Sequence, residues 1–224
     1  MQQPITEIEQ CSCAVLAGGR SSRLGTDKAL LRLDADGPSL IESVLSLAHQ
    51  LTDDVMVVGR EVLDGTSTHV RFLPDPAIDQ GPLAGIATAL AASQYDRCLV
   101  LPCDAPFLSL HVLHWMISLP QTTDALVPST SARSRQGGRQ SLQTLHAIYR
   151  RTCLAPIRAA LEHGNRHTTA WFESATIQVL PEDTIRQIDP QLMTFFTINT
   201  PEDLEYARQH LRSPDGGRGP GQTV

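Results

Sequence analysis

The chain has no apolar run approaching the roughly 18–20 residues that a membrane-spanning helix needs, so no membrane segment is expected. It also lacks an excess of positive charge. The net charge is −6 and the isoelectric point is near 5.7, which excludes the broad basic face of a nucleic-acid-binding protein. Its five cysteines, at 11, 13, 98, 103 and 153, are odd in number and scattered, which fits reduced thiols in the cytoplasm rather than a disulfide framework. Cys11 and Cys13 share one face of an expected strand, but no second pair has metal-ligand spacing, so zinc is not expected. His111 and His114 lie three apart on an expected helix without a third ligand in sequence, and read as surface residues. Residues 1–10 are polar and acidic and do not resemble a secretory signal.

Two common phosphate fingerprints are missing as well. A P-loop needs G-x-x-x-x-G-K-[ST], and a dinucleotide fold needs G-x-G-x-x-G, whereas the glycines here fall at Gly18, Gly19 and Gly25. What stands in their place is Leu-Ala-Gly-Gly-Arg-Ser-Ser-Arg-Leu-Gly-Thr-Asp-Lys over residues 16–28, directly after the apolar run from Cys11 to Val15. A buried strand thus opens into a glycine-rich loop carrying Arg20, Arg23 and Lys28. Glycine lets backbone N–H groups approach an anion closely, and the three cations suit a polyphosphate. A glycine turn with solvated arginines is the plainer reading of any one such loop; three glycines with three cations favour the anion.

Short apolar runs alternate with amphipathic stretches, the pattern of an α/β protein. Strands are expected at 13–17, 54–58, 70–73, 98–101, 125–127, 145–149, 177–180 and 195–198, with helices between them. Ser39 and Glu42 form a capping box for a helix to about residue 50. Further helices are expected at 82–93, 109–119, 152–162 and 201–211, the last capped by Thr200 with Pro201 at its first position and Glu202 and Asp203 in its first turn. Continuous apolar strands such as Cys98-Leu99-Val100-Leu101 require a sheet covered on both faces. The expected architecture is a doubly wound, mostly parallel α/β sheet of Rossmann-like form, with ligands at the carboxyl ends of its strands. One domain should span residues 11–212, its first half binding nucleotide and its second half an acceptor. Residues 1–10 read as a polar extension, and the Pro/Gly-rich residues 213–224 as a disordered tail.

Four further constellations can carry chemistry. Pro102-Cys103-Asp104-Ala105-Pro106 follows the strand at 98–101, so Asp104 is placed either to bind Mg²⁺ on a nucleotide or to hold its own turn. Gly81-Pro82 opens a helix whose N-terminus either faces a base or phosphate or simply punctuates the chain. Asn199, in Thr197-Ile198-Asn199-Thr200-Pro201, either reaches a metal or phosphate or stabilises a turn. The polar segment 129–140, with Arg133, Arg135 and Arg139, either closes over an anionic ligand or is a solvated loop.

Taken in order, Leu-Ala-Gly-Gly-x-Ser-x-Arg-x-Gly-x-Asp-Lys, Gly-Pro-Leu-Ala-Gly, Pro-Cys-Asp-x-Pro and Asn-Thr-Pro-Glu-Asp-Leu resemble the molybdenum cofactor guanylyltransferases. The resemblance covers about residues 12–211. It implies a nucleotide-diphospho-sugar transferase-like fold that transfers GMP from GTP, with Mg²⁺, to the phosphate of molybdenum-molybdopterin. By the same resemblance Leu16, Ala17, Gly18, Gly19, Lys28, Asp75, Gly81 and Asp104 match nucleotide-binding positions. Arg23, Lys28 and Asp104 match the catalytic ones, and Asp104 the metal ligand. Gly25, Gly85, Arg166 and Asn199 match positions lining the acceptor side. The Gly18-Gly19 pair leans to guanine, since the cytidylyl relatives typically read Leu-Ala-Ala-Gly.

The chain departs from the family at Leu24, usually methionine; Thr144, often proline; Thr197, commonly asparagine; His167, where a second basic residue can occur; and Gly59, asparagine in some relatives. These departures fall mostly on the acceptor side. The alternatives are a relative using CTP or another phosphate-bearing acceptor, and a non-catalytic nucleotide-binding module. Small-molecule substrates and transient contact with cofactor-delivery proteins and target enzymes are the expected partners, in the cytoplasm, without nucleic acid or membrane.

Overall fold

A computed structural model describes residues 10–18, 27–61, 69–74, 81–131 and 140–212. The expected tail at 213–224 and Arg133, Arg135 and Arg139 lie outside the described residues. The strands are β1 (Cys11–Leu16), β2 (Val55–Val58), β3 (Val70–Leu73), β4 (Arg97–Pro102), β5 (Ala125–Thr130), β6 (Ser141–Leu142), β7 (Ala147–Arg150) and β8 (Ile177–Leu180). The helices are α1 (Leu40–Ala48), α2 (Gly81–Ala92), α3 (Leu110–Ser118), α4 (Leu154–Glu162), the short α5 (Glu182–Arg186) and α6 (Pro201–Arg212).

The strand order is β3-β2-β1-β4-β7-β5-β6, with β8 paired to β5. β1 pairs in parallel with β2 and β4, β2 with β3, and β5 with β8, whereas β7 runs antiparallel to both β4 and β5. The sheet is therefore mostly parallel, with β7 and the two-residue β6, antiparallel to β5, running against the grain.

Alternation along each strand divides the core in two. Cys13, Val15, Val55, Val57, Leu99 and Leu101 point to one face, where they pack with Ile41, Val44, Leu45, Val112, Leu113 and Met116 of α1 and α3. Ala14, Met56, Val58, Cys98 and Val100 point to the other, against Leu83, Ile86 and Leu90 of α2 and Ile157 of α4. Both faces are covered, so every strand residue of β4 is buried, as its continuous apolar run requires. No helix among the described residues is long and apolar enough to cross a membrane.

Two helix starts form as their sequences dictate. Ser39 Oγ accepts from Glu42 N at 3.4 Å while Glu42 Oε2 accepts from Ser39 N at 2.6 Å. Thr200 Oγ1 accepts from Asp203 N at 3.2 Å while Asp203 Oδ2 accepts from Thr200 N at 2.9 Å.

The strand expected at 195–198 does not exist. Met193–Phe195 is a 3-10 turn entered through Leu192, whose φ is +56°. The apolar residues there serve two separate clusters, Phe195 joining α1 and α3 and Ile198 joining Leu40 and Ala207. They do not alternate across one sheet. The helix expected from residue 152 begins with a 3-10 turn, Arg151–Cys153, before α4.

Candidate active site

The carboxyl ends of β1, β2 and β4 come together because parallel neighbours end at the same edge. Leu16 pairs with Val58 on one side and Pro102 on the other. Backbone bonds continue past the strand ends: Ala17 N donates to Val58 O at 2.8 Å, Cys103 N to Leu16 O at 3.1 Å, and Gly59 N to Leu73 O at 2.9 Å. Asp104 leaves β4 at this edge, and its carbonyl accepts from Ile198 N at 3.0 Å. That bond brings residues 197–199 alongside.

Lys28 arrives from the far end of the glycine-rich loop. Asp27 caps its 3-10 turn, Lys28–Leu30, by accepting from Ala29 N at 3.2 Å through Oδ1, and Asp27 Oδ2 is paired with Arg60 just beyond β2. Lys28 Nζ then donates to Asn199 Oδ1 at 2.9 Å and stands 3.4 Å from Asp104 Oδ2. The Lys28 and Asp104 side chains are only 20% and 17% exposed. Burial pushes the Asp104 carboxyl above the usual carboxylate range, and the Lys28 ammonium pulls it back down. The neighbouring Cys103 thiol is pushed up to about 12, first by burial and then by the charge of Asp104, so it stays protonated at neutral pH and is no nucleophile.

Gly59 supplies a feature that sequence reading passed over as a mere departure. Its φ is +90°, and a Cβ there would lie 2.5 Å from Gly18 Cα and 2.7 Å from Gly18 N. The backbone of Gly18, exposed at the mouth of the loop, lies directly over it. Gly85 has a packing role: a Cβ would come 3.3 Å from Leu16 Cδ2, so its absence lets α2 sit close on the end of β1.

A second feature lies at the start of α2. Gly164 ends α4 with φ +76°, its N–H donating to Leu161 O at 2.9 Å and that of Asn165 to Ala160 O at 3.0 Å. This is the Schellman ending that glycine favours. It carries residues 165–167 across to Gly81, whose φ is +74° and where a Cβ would lie 3.9 Å from Arg166 O. Gly81, Pro82, His163, Gly164, Asn165, Arg166 and His167 line a groove of about 600 Å³. The groove brings Arg166 and two histidines to the N-terminal end of α2, whose unpaired backbone N–H groups favour an anion.

Of the residues singled out in the sequence, Leu16, Ala17, Gly18, Lys28, Asp104 and Asn199 thus share one edge, Gly85 packs beneath it, and Gly81 and Arg166 share the groove. Gly19, Arg23, Gly25 and Asp75 lie outside the described residues. Sequence reading missed Asp27 and Arg60, and it gave Asp203 as a residue of the first turn of α6 without its bond to Asn199 N. The Asp-Lys doublet was the available signal for Asp27, and the N-terminal turn of α6 for Asp203; nothing local marks Arg60. Among the described residues no group of three or more His, Cys, Asp or Glu is placed to hold a metal.

The sequence matches the MobA-like NTP transferase domain over residues 13–178. It is 30% identical over 209 residues to a probable molybdenum cofactor guanylyltransferase of Pelotomaculum thermopropionicum, covering 93% of this chain and 97% of that protein. It is 35% identical over 204 residues to the probable molybdenum cofactor guanylyltransferase of Methanothermobacter thermautotrophicus, covering 86% and 96%. The fold superposes on molybdopterin-guanine dinucleotide biosynthesis protein A of Archaeoglobus fulgidus with a TM-score of 0.71 at 27% identity, over 88% of this chain and 97% of that one. It also shares the fold, at 20% identity and a TM-score of 0.67, of the 2-C-methyl-D-erythritol 4-phosphate cytidylyltransferase of Thermus thermophilus, with 91% of this chain and all of that one covered (100%). Matched by the family model over most of its length and along nearly the whole length of such relatives, the chain belongs to the MobA-like NTP transferase family and is a nucleotidyltransferase.

Proposed function

We propose that the chain transfers GMP from GTP to the phosphate of molybdenum-bearing molybdopterin, releasing pyrophosphate. The observation that carries this reading is the Lys28–Asp104–Asn199 cluster at the carboxyl edge of the sheet, the edge at which the Gly18 backbone leaves β1. An oxygen of the acceptor phosphate attacks the α-phosphorus of GTP in line, and the bond from that phosphorus to the α,β-bridging oxygen breaks. The acceptor phosphate is already ionised at neutral pH, so no general base is needed. Catalysis reduces to positioning and charge neutralisation. Lys28 binds the triphosphate and stabilises charge on the departing pyrophosphate. The loop from Gly18 to Lys28, with Arg23, completes the phosphate cradle, and Asp75 contacts the nucleotide.

Asp104 fits Mg²⁺: it is a half-buried carboxylate already facing a cation, Lys28, and this ion usually takes one or two protein carboxylates with the rest of its shell from phosphates and water. When bound, Mg²⁺ supplies charge neutralisation at the phosphates. The groove between Gly81 and Arg166 takes the anionic acceptor, which moves Gly81 from the nucleotide side, where the resemblance puts it, to the acceptor side; its lining with His163, Arg166 and His167 supports that assignment. Both substrates are soluble anions, which supports a cytoplasmic protein that meets cofactor-delivery proteins and target enzymes transiently.

Thermal unfolding with GTP/Mg²⁺ and with CTP/Mg²⁺ tests the base. A ligand at 100 times its Kd stabilises by about 2.7 kcal/mol, and GTP is expected to give the larger shift. A larger shift with CTP would overturn guanine. Guanine dinucleotide formed from GTP and molybdenum-loaded molybdopterin would establish the acceptor.

Gly59→Ala should weaken nucleotide binding by roughly tenfold, because the new Cβ must push Gly18 out of the loop and φ is unfavourable for alanine. Titration of the folded variant with GTP reads this directly. Unchanged affinity would mean that the Gly18 backbone does not touch the nucleotide.

A further inference from the structure

The amide of Asn199 is held at both ends. Its Oδ1 accepts from Lys28 Nζ at 2.9 Å, and its Nδ2 donates to Thr197 Oγ1 at 2.9 Å. Its backbone is fixed separately, since Asp203 Oδ2 accepts from Asn199 N at 3.0 Å and from Thr200 N at 2.9 Å. Asn199 is exposed, and the terminal torsion of an asparagine is broad. Nothing in its own backbone prevents the amide from turning. A half-turn would set its NH₂ against the Lys28 ammonium, donor against donor, and a smaller turn would break the bond to Lys28.

We infer that Thr197 is a positioning residue for Lys28. Its hydroxyl anchors the amide NH₂ of Asn199, which keeps Oδ1 on the lysine and Lys28 in place beside Asp104. This places residues 197 and 199 on the nucleotide side of the reaction, although the resemblance puts Asn199 on the acceptor side and Thr197 among departures that fall mostly there. The hydroxyl oxygen of Thr197 accepts from Asn199 at 2.9 Å. The inference rests on the reading of Lys28 as a phosphate contact.

Thr197→Val removes the hydroxyl while keeping shape. It should raise the KM for GTP and lower kcat/KM for GTP by roughly three- to tenfold, the range for one neutral hydrogen bond, with the KM for molybdopterin unchanged. Thr197→Ser should restore wild-type values. GTP affinity measured by thermal shift should fall by the same factor, a readout independent of turnover. Thr200→Ala separates helix capping from positioning: it breaks the Asp203 N to Thr200 Oγ1 bond, should lower stability, and should leave GTP affinity unchanged. A raised acceptor KM with GTP affinity intact would overturn the inference and return residue 197 to the acceptor side. Equal GTP affinity in Thr197→Val and wild type would overturn it while leaving the proposed function standing. A wild-type protein stabilised by no nucleoside triphosphate would overturn both.

Discussion

Asp104→Asn is expected to cut turnover by about 10²–10³-fold, the scale seen when one preorganised electrostatic contact at a transferring group is lost. The amide keeps the shape of the side chain and the backbone bond from Ile198 N to Asp104 O, so the edge of the sheet stays assembled. What disappears is the negative charge facing Lys28 at 3.4 Å, and with it the oxygen donor for a hard divalent cation. Because the carboxyl is pushed upward by burial, the variant also removes a desolvated charge, and its folding stability should equal or exceed that of the wild type. Single-turnover kinetics with GTP/Mg²⁺, alongside a urea unfolding curve, measure both quantities. A folded variant with full turnover would remove Asp104 from the chemistry.

Acidification should destabilise the protein through His146. The ring is 2% exposed, packs edge-on against Phe195 with centroids 5.2 Å apart, and its Nε2 has no hydrogen-bond partner. Burial lowers the imidazole from the ordinary 6.5 to about 3, a hydrogen bond to the Thr194 backbone offsetting only part of this. The unfolded chain therefore binds a proton that the folded chain refuses between about pH 6.5 and pH 3. Stability is flat above that window and falls as pH drops through it. At pH 5 the loss from this one group is about 2 kcal/mol, from about 1.4 kcal/mol per pH unit below 6.5. Unfolding free energies at pH 7 and pH 5 for wild type and His146→Gln should differ by that amount in their pH dependence. Equal acid losses in the two proteins would show that His146 takes up its proton without unfolding.

The periodic elements were legible because local rules carried them. Ser39 and Glu42 announce α1, Thr200 and Asp203 announce α6, and the unbroken Cys98–Leu101 run announces a central strand with both faces covered. Residues 195–198 misled because apolar side chains serving two different clusters look, in one dimension, like a strand. The direction of β7 was illegible for a related reason. Its residues would be buried in either orientation, and only the hairpin-side pairing with β5 and the free place beside β4 select antiparallel. In the candidate site, Lys28 and Asp104 stood out by residue type and by position after strands. Gly59 did not, since its positive φ and the passage of Gly18 over it, which together crowd a side chain there, appear only in the fold.

The sequence by itself determined the class of fold, the glycine-rich cationic loop and the residues able to meet a phosphate, because propensity, capping and residue chemistry act within a few positions along the chain. The tertiary structure alone decided that Lys28 meets Asp104, 76 positions away, and Asn199, 171 positions away, and that Thr197 turns its hydroxyl to Asn199. Those contacts follow from parallel strands ending at a common edge and from one backbone bond, Ile198 N to Asp104 O, that brings the last segment to it.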